Sequence, residues 1–336
     1  MKKIAIVMSS HLKNGIFSSE KPYDFDNFLF QHRLLKDRLS QFGYDLVTYD
    51  INNPNDSDVL FYYGSNESLP EPSLAKTNFL FLWESKLISP QIYDLRLHQK
   101  FKKIFTFCDD LVDNKKYFKI NYAYLIPTEI SKDMTCKQKL CTLIADNKMV
   151  NHPLELYSKR IDAIRWFENH HQDEFDLYGR GWCISSSLLL RRVCNRLPVL
   201  RKILSKLLPK PYPSYRGELA EKIPILEKYK FAICYENARD IPGYITEKIF
   251  HCFFAGCVPI YWGANNIKDY VPESCFIDKR KYDTYEELYE HISKMPDVEY
   301  LNYLTNIEEY LNSDQIQQLS AQNFADTVIK EVLNEK

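Results

Sequence analysis

Glycine is scarce in this sequence, with nine among 336 residues. So few leave little material for loops that cradle phosphate with bare backbone, and neither G-x-G-x-x-G nor a P-loop occurs. A nicotinamide-dependent or NTP-hydrolysing enzyme is therefore not expected. Net charge is lacking too: 44 Lys and Arg against 45 Asp and Glu give −1, which offers no basis for a dedicated nucleic-acid binder. Long hydrophobic runs are missing near the start, where Met1-Lys2-Lys3 leads only into Ile4 to Met8, too short for a signal-peptide core or a membrane span. The protein is expected to be made and kept in the cytoplasm. The nine cysteines contain no C-x-x-C pair, and Cys108, Cys234, Cys252 and Cys257 lie inside apolar runs. They read as reduced core residues; a disulfide framework does not suit a chain this large without a signal peptide. No internal repeat is visible.

What is present is apolar and aromatic. Hydrophobic residues make up 45% and aromatics 14%, enough for a globular protein, and the length exceeds one typical core, so two domains are expected. In the N-terminal half, Ile4 to Val7, Leu46 to Tyr49, Val59 to Tyr63, Phe79 to Trp83, Ile104 to Phe107 and Tyr122 to Ile126 are short apolar runs. A helix is predicted from Phe28 to Phe42, stopped by Gly43. Continuous apolar strands with helical spacers imply a parallel sheet covered on both faces.

The chain is organised around Phe231 to Asp278. An apolar run ends in Tyr235-Glu236-Asn237, turns through Asp240-Ile241-Pro242-Gly243 and starts again at Thr246-Glu247-Lys248; a second run, Val258 to Trp262, stops at Gly263. This is the pattern of a βαβ unit, whose ligands bind where strands end. Thr246 suits an N-cap, and Ile249, Phe250, Phe253 and Phe254 give the helix an apolar face. Lys248 then sits in the first turn, where free N–H groups and the helix dipole favour a phosphate or pyrophosphate. Glu247 repels such an anion and better accepts hydrogen bonds from ribose hydroxyls. Local sequence leaves a second reading open, with Glu247 an ordinary first-turn acid and Lys248 a solvated charge.

The stretch resembles the donor-binding motif of glycosyltransferase family 10, the α-1,3/1,4-fucosyltransferases. The resemblance rests on Phe231, Glu236-Asn237, Tyr244-Ile245-Thr246-Glu247-Lys248, Ala255-Gly256, Pro259 and Gly263. It implies an α/β protein of GT-B architecture, two facing Rossmann-like doubly wound domains, with GDP-fucose in the C-terminal domain. Donor contacts are expected from Arg160, Asn237, Tyr244, Thr246, Glu247 and Lys248, with Glu236, Arg165 and Arg180 as further candidates. The resemblance implies no metal site and no required cofactor, a divalent cation being at most stimulatory.

In the N-terminal half, Phe81-Leu82-Trp83-Glu84-Ser85 ends a strand on a carboxylate. Partial desolvation there raises a carboxyl pKa and suits general-base work, although a plain solvent-facing acid fits as well. The family's catalytic base lies in a similar short segment, so the resemblance implies this role for Glu84. Asp109-Asp110-Leu111-Val112-Asp113 could instead suggest a metal-binding acidic element; loop chemistry is the preferred reading. Pro127 to Gln138 reads as the linker, giving expected domains 1–130 and 137–312 and a terminal helix 313–336.

Leu140 to Ile144 reads as the first strand of the second domain, and a helix is expected from near Glu155, carrying Arg160 and Arg165. The resemblance implies pyrophosphate contact by an arginine here; Arg160 matches its place and Arg165 competes. Phe175 to Trp182 contains Gly179-Arg180-Gly181, where glycine allows close backbone approach near a ligand cleft. From Ser185 to Tyr215 seven Lys and Arg residues, Arg191 to Lys210, alternate with leucines at helical spacing without an acid, and Pro198 should divide the segment in two. It fits either an anionic membrane surface on the inner face or packing within its own domain.

The expected activity is inverting transfer of fucose from GDP-fucose to a hydroxyl of an acceptor oligosaccharide, α-1,3 to a GlcNAc-type residue of a lipopolysaccharide or other surface glycan. The alternatives are transfer from a different GDP-sugar and a non-catalytic sugar-nucleotide-binding protein.

Overall fold

The computed structural model describes residues 1–20, 24–64, 70–72, 76–182 and 211–335. The basic segment from Ser185 to Lys210, with its division at Pro198, lies outside the described residues. Among the described residues twelve strands form two six-stranded sheets. The first contains β1 (Lys2–Val7), β2 (Tyr44–Thr48), β3 (Val59–Tyr62), β4 (Thr77–Leu82), β5 (Lys103–Thr106) and β6 (Tyr117–Lys119), in the order β2-β1-β3-β4-β5-β6. The second contains β7 (Lys139–Ile144), β8 (Phe175–Tyr178), β9 (Tyr215–Gly217), β10 (Tyr229–Tyr235), β11 (Val258–Trp262) and β12 (Ile277–Asp278), in the order β12-β11-β10-β7-β8-β9. Every pairing is parallel. Both sheets are doubly wound: the strand order reverses at β1/β3 in the first and at β7/β10 in the second, the crevices where such sheets bind ligands.

The helices among the described residues are α1 (Phe30–Gln41), α2 (Leu95–His98), α3 (Tyr157–His170), α4 (Ile223–Leu226), α5 (Glu247–Phe254), α6 (Tyr285–Ser293), α7 (Asp297–Leu311) and α8 (Ala321–Leu333). None is long and apolar enough to cross a membrane. The uninterrupted apolar strands are explained by burial on both faces: β3 and the core of β1 and β4 are buried along their length.

Several elements differ from the sequence reading. Tyr122 to Ile126 forms no strand of the sheet. Tyr124 instead bridges to Ser320, exchanging backbone hydrogen bonds with the returning C-terminal tail. The final helix is not continuous from Ser313: a 3-10 turn, Gln315–Leu319, precedes α8, because Ser320 caps the new helix by accepting from Asn323 N–H at 3.1 Å. Among the cysteines, Cys136 is exposed and Cys108 half-buried, unlike the core positions Cys141, Cys234, Cys252, Cys257 and Cys275.

The tail helix α8 packs against α1 on the first sheet, so the chain's last segment completes the core of its first domain. Phe324 sits on Trp83 at 5.6 Å between ring centroids, with His32 and Phe81 around it. This places a C-terminal side chain directly behind the end of β4. Phe324→Ala should lower unfolding free energy by about 3–5 kcal/mol, as loss of a buried aromatic does, and a denaturant titration would detect it; a change below about 1 kcal/mol would mean that the contact is peripheral.

Candidate active site

Glu84 emerges where the buried run of β4 opens into a loop, and it is held from several sides. The Tyr122 hydroxyl donates to the Trp83 carbonyl. Tyr93 donates to the Glu84 carbonyl at 2.8 Å. The carboxylate Oε1 accepts from Ser85 N–H at 2.8 Å and from the Tyr244 hydroxyl of the opposite domain at 2.6 Å. Burial pushes the Tyr244 phenol well above its ordinary pKa, so it remains a proton donor to Glu84.

Across the cleft, β10 delivers Glu236 into a fully buried position. Its Oε1 accepts from Thr246 N–H at 2.7 Å, and its Oε2 accepts from Thr246 Oγ1 at 2.7 Å and Lys248 Nζ at 3.0 Å. Lys248 Nζ also donates to Thr246 Oγ1 at 2.7 Å. Thr246 occupies the N-cap position of α5, but its hydroxyl turns to Glu236 and makes no cap bond. Glu236 and Thr246 are both buried, bonded to one another and to Lys248.

The Asn237 side chain donates to the Tyr244 hydroxyl at 3.1 Å and accepts from Arg160 at 3.1 Å, while Arg160 also donates to the Tyr235 carbonyl at 2.6 Å. One hydrogen-bonded path thus runs Arg160, Asn237, Tyr244, Glu84, joining the two domains. Arg160 is 4% exposed, and burial lowers its pKa from the ordinary value; a guanidinium keeps its charge nonetheless.

Of these groups Arg160, Asn237 and Lys248 border a cavity of about 450 Å³, of small-molecule size. It opens where β7, β8 and β10 end, at the switch point of the second sheet. Arg160, Arg180, Lys148, Lys222 and Lys248 face it together with Asp146, Glu247 and Asn237. Gly179 lines it as well: at φ +125, a Cβ there would lie 2.0 Å from the Ala145 carbonyl oxygen, so only glycine lets these two strand ends close up. Burial opposes the charge of Glu247, but Lys248 and Lys222 outweigh it and hold the carboxyl well below its usual range. Burial likewise opposes the Lys248 charge, and Glu236 with Glu247 raises its pKa above the ordinary value. The wall therefore sets five cations against three acids, Asp146, Glu218 and Glu247, and suits a phosphorylated ligand that also carries hydroxyls.

Arg165 stands apart. It pairs with Glu168 at 2.6 Å, donates to the Pro211 carbonyl at 2.8 Å and stacks over Tyr212 at 3.9 Å. About one and a half turns beyond Arg160 on α3, it faces away from the cleft, because helical spacing puts the two on different faces. Arg180 does reach the cavity rim, in a forked pair with Asp146 at 2.7 and 3.1 Å. Of the acidic stretch after β5, Asp109 is occupied by Lys119, Asn266 and Tyr270, and Asp113 accepts three backbone N–H groups at 2.8 Å each. These carboxylates are spent on loop and interface bonds. Among the described residues no group of three or more His, Cys, Asp or Glu side chains is placed to hold a metal.

Sequence reasoning missed Lys222, which faces the cavity and pairs with Glu247 at 3.3 Å. Its place is fixed from the other domain, where Asp26 accepts from the Lys222 N–H at 2.8 Å. No local pattern could signal it. Tyr93 and Tyr122 were also missed, since they touch only the backbone beside Glu84.

Residues 206–329 match the family model described as glycosyltransferase family 10 (fucosyltransferase) C-term. Over that stretch the chain is similar to glycosyltransferase family 10. Curated relatives include an α-(1,4)-fucosyltransferase of Arabidopsis thaliana, 38% identical over 72 residues, covering 21% of this chain and 18% of the relative. An α-(1,3)-fucosyltransferase of Helicobacter pylori is also 38% identical over 72 residues, 21% of this chain and 15% of its own length. The matches thus span less than a fifth of the length of these relatives. Among solved structures, an α1,3-fucosyltransferase with GDP-fucose aligns with TM-score 0.52 at 17% identity, over 98% of this chain and 89% of that one. An α-glucosyltransferase in complex with UDP-glucose and DNA aligns with TM-score 0.56 at 12% identity, over 99% of both chains. At such identities the likeness is one of fold, and the fold is GT-B.

The family 10 motif owes its geometry to Glu236, which makes a direct test available. Glu236→Gln keeps the shape but strips Lys248 of its buried counter-charge, and should cost about 3 kcal/mol of stability. Lys248 stays charged until the pH rises through its elevated pKa, and Glu247 stays ionised until the pH falls through its depressed one. The gap in melting temperature between wild type and variant should therefore be constant from about pH 6 to pH 9; a gap that closes within that window would contradict the assigned charge states.

Proposed function

We propose that the protein is an inverting fucosyltransferase that takes GDP-fucose in the cavity at the end of β7, β8 and β10. The observation that carries this reading is the meeting of Glu84 with the family 10 motif: a carboxylate of one domain held 2.6 Å from the Tyr244 hydroxyl of the other, which Asn237 links to the wall of a cationic cavity. One of the fold relatives is an α1,3-fucosyltransferase with GDP-fucose, and that donor, a diphosphate carrying ribose and sugar hydroxyls, fits the chemistry of the cavity.

In this reading Lys248 and Arg160 take the diphosphate, the N-terminus of α5 adds its dipole, and Glu247 accepts from ribose hydroxyls. Asn237 and Tyr244 border the nucleotide and tie it to Glu84. Glu84 removes the proton from the acceptor hydroxyl as that oxygen attacks the anomeric carbon from the face opposite GDP, so the configuration inverts. Charge accumulates on the departing GDP, and the fixed cations meet it without reorganising, the electrostatic contribution a metal makes elsewhere. The acceptor is a glycan hydroxyl approaching along the first sheet, α-1,3 on a GlcNAc-type residue of a lipopolysaccharide or other surface glycan. A lipid-linked acceptor would bring the protein to the inner membrane face.

Lys248→Ala should lower turnover on the order of 10²-fold or more, as loss of a transition-state charge contact does; activity within a few-fold of wild type would remove the lysine from the mechanism. Glu84→Gln should abolish transfer and leave GDP affinity nearly intact, measured by calorimetry. Unchanged turnover in that variant would take the role of base away from Glu84, and a parent protein that binds GDP-fucose without transferring it would be a sugar-nucleotide-binding protein in place of an enzyme. Thermal stabilisation by GDP and GDP-fucose, and not by UDP or CMP, checks the donor: a ligand at 100 times its Kd adds about 2.7 kcal/mol.

A further inference from the structure

The mechanism above leaves one interdomain cluster unused, on the side of the cleft behind Tyr244. Asp109, on the loop after β5, accepts from Lys119 Nζ at 2.5 Å and, across the interface, from Tyr270 OH at 2.6 Å and Asn266 Nδ2 at 2.8 Å. Its own N–H donates to the Pro242 carbonyl at 3.2 Å. Asn266 in turn accepts from Gly243 N–H at 2.9 Å through its Oδ1. The Pro242-Gly243 turn is thus held by Asp109 twice, once through its backbone and once through Asn266. The fit is tight: at Gly243, φ +77, an added Cβ would lie 2.3 Å from the Phe107 carbonyl oxygen and 2.9 Å from Asp109 Oδ2. The next residue is Tyr244, whose ring packs 5.1 Å from that of Phe107.

We propose that Asp109 is a positioning residue for the transfer, fixing the Pro242-Gly243 turn against the first domain so that the Tyr244 hydroxyl meets Glu84. The proposal rests on the donor-site reading above and adds to it the part that aligns the two domains. Asp109 touches neither the cavity nor Glu84, so its influence passes through the turn. Burial opposes its ionisation, and the bonds from Lys119, Tyr270 and Asn266 outweigh that and hold its carboxyl below the ordinary range, which keeps it an acceptor throughout the neutral range. The same geometry explains why an acidic loop without metal-ligand character lies beside the site.

The test is Asp109→Asn, in the wild-type and Tyr244→Phe backgrounds, together with the exchange variant Asp109→Asn/Asn266→Asp. In the wild-type background kcat should fall at least about tenfold while GDP affinity changes less than about threefold, and the exchange variant should recover much of kcat. In the Tyr244→Phe background the same substitution should change kcat less than about twofold, because the link it serves is already cut. Equal losses in both backgrounds, or GDP affinity falling in step with kcat, would overturn the proposal. Hydrogen exchange of the Gly243 amide gives a readout independent of transfer: it should accelerate at least about tenfold in Asp109→Asn, with the Thr246 amide as the unaffected control. If the parent protein transfers no fucose, the donor reading fails, and unchanged Gly243 exchange would separately overturn the positioning role.

Discussion

A carboxylate with no access to water has to be answered by its surroundings, and in this protein that obligation falls around Glu236. Its two oxygens require partners, and Thr246 N–H, Thr246 Oγ1 and Lys248 Nζ supply them. Meeting the requirement fixes the start of α5, draws Lys248 inward and sets its ammonium in the cavity wall beside Glu247. The turn from Asp240 to Gly243, pinned between that helix start and the end of β10, is thereby presented to the other domain. Buried charges of this kind stabilise little by themselves. What they confer here is a single arrangement of the motif.

The two domains meet through carboxylates of the first. Asp26 accepts from the backbone of Lys222, Glu84 from Tyr244, and Asp109 from Asn266 and Tyr270. These three contacts lie around the cleft and each acts on an element of the cavity wall or its approach. Hydrogen bonds to carboxylates are directional, so the four made by these three residues help define how the two domains face each other. The returning helix α8 adds a fourth tie, covalently part of the chain's end but packed into the first core behind Trp83.

Much of the fold was legible because its signals are local. β11 occupies Val258–Trp262, where the apolar run ended at glycine, and β10 and β7 lie within a residue or two of their runs. Tyr122 to Ile126 failed because its rings pack against Phe107 and Phe250 while the Tyr124 backbone pairs with the tail, contacts far beyond the reach of any sequence window. The break before α8 could have been found from Ser320, a cap residue inside an otherwise periodic stretch.

For the site, the sequence by itself determined the chemistry available: the family 10 motif, a lysine in a first helical turn, an arginine on an earlier helix and a glutamate at a strand end. These follow from residue type and short spacing, which local physics constrains. Only the tertiary structure decided which of those groups act together. Arg160 turns into the cleft while Arg165 turns to Tyr212, because a helix presents its faces according to what packs against it. Lys222 enters the cavity, and Asp109 becomes an interface residue. Each of those outcomes depends on a partner distant in sequence, and the burial that makes a partner obligatory exists only once both sheets have formed.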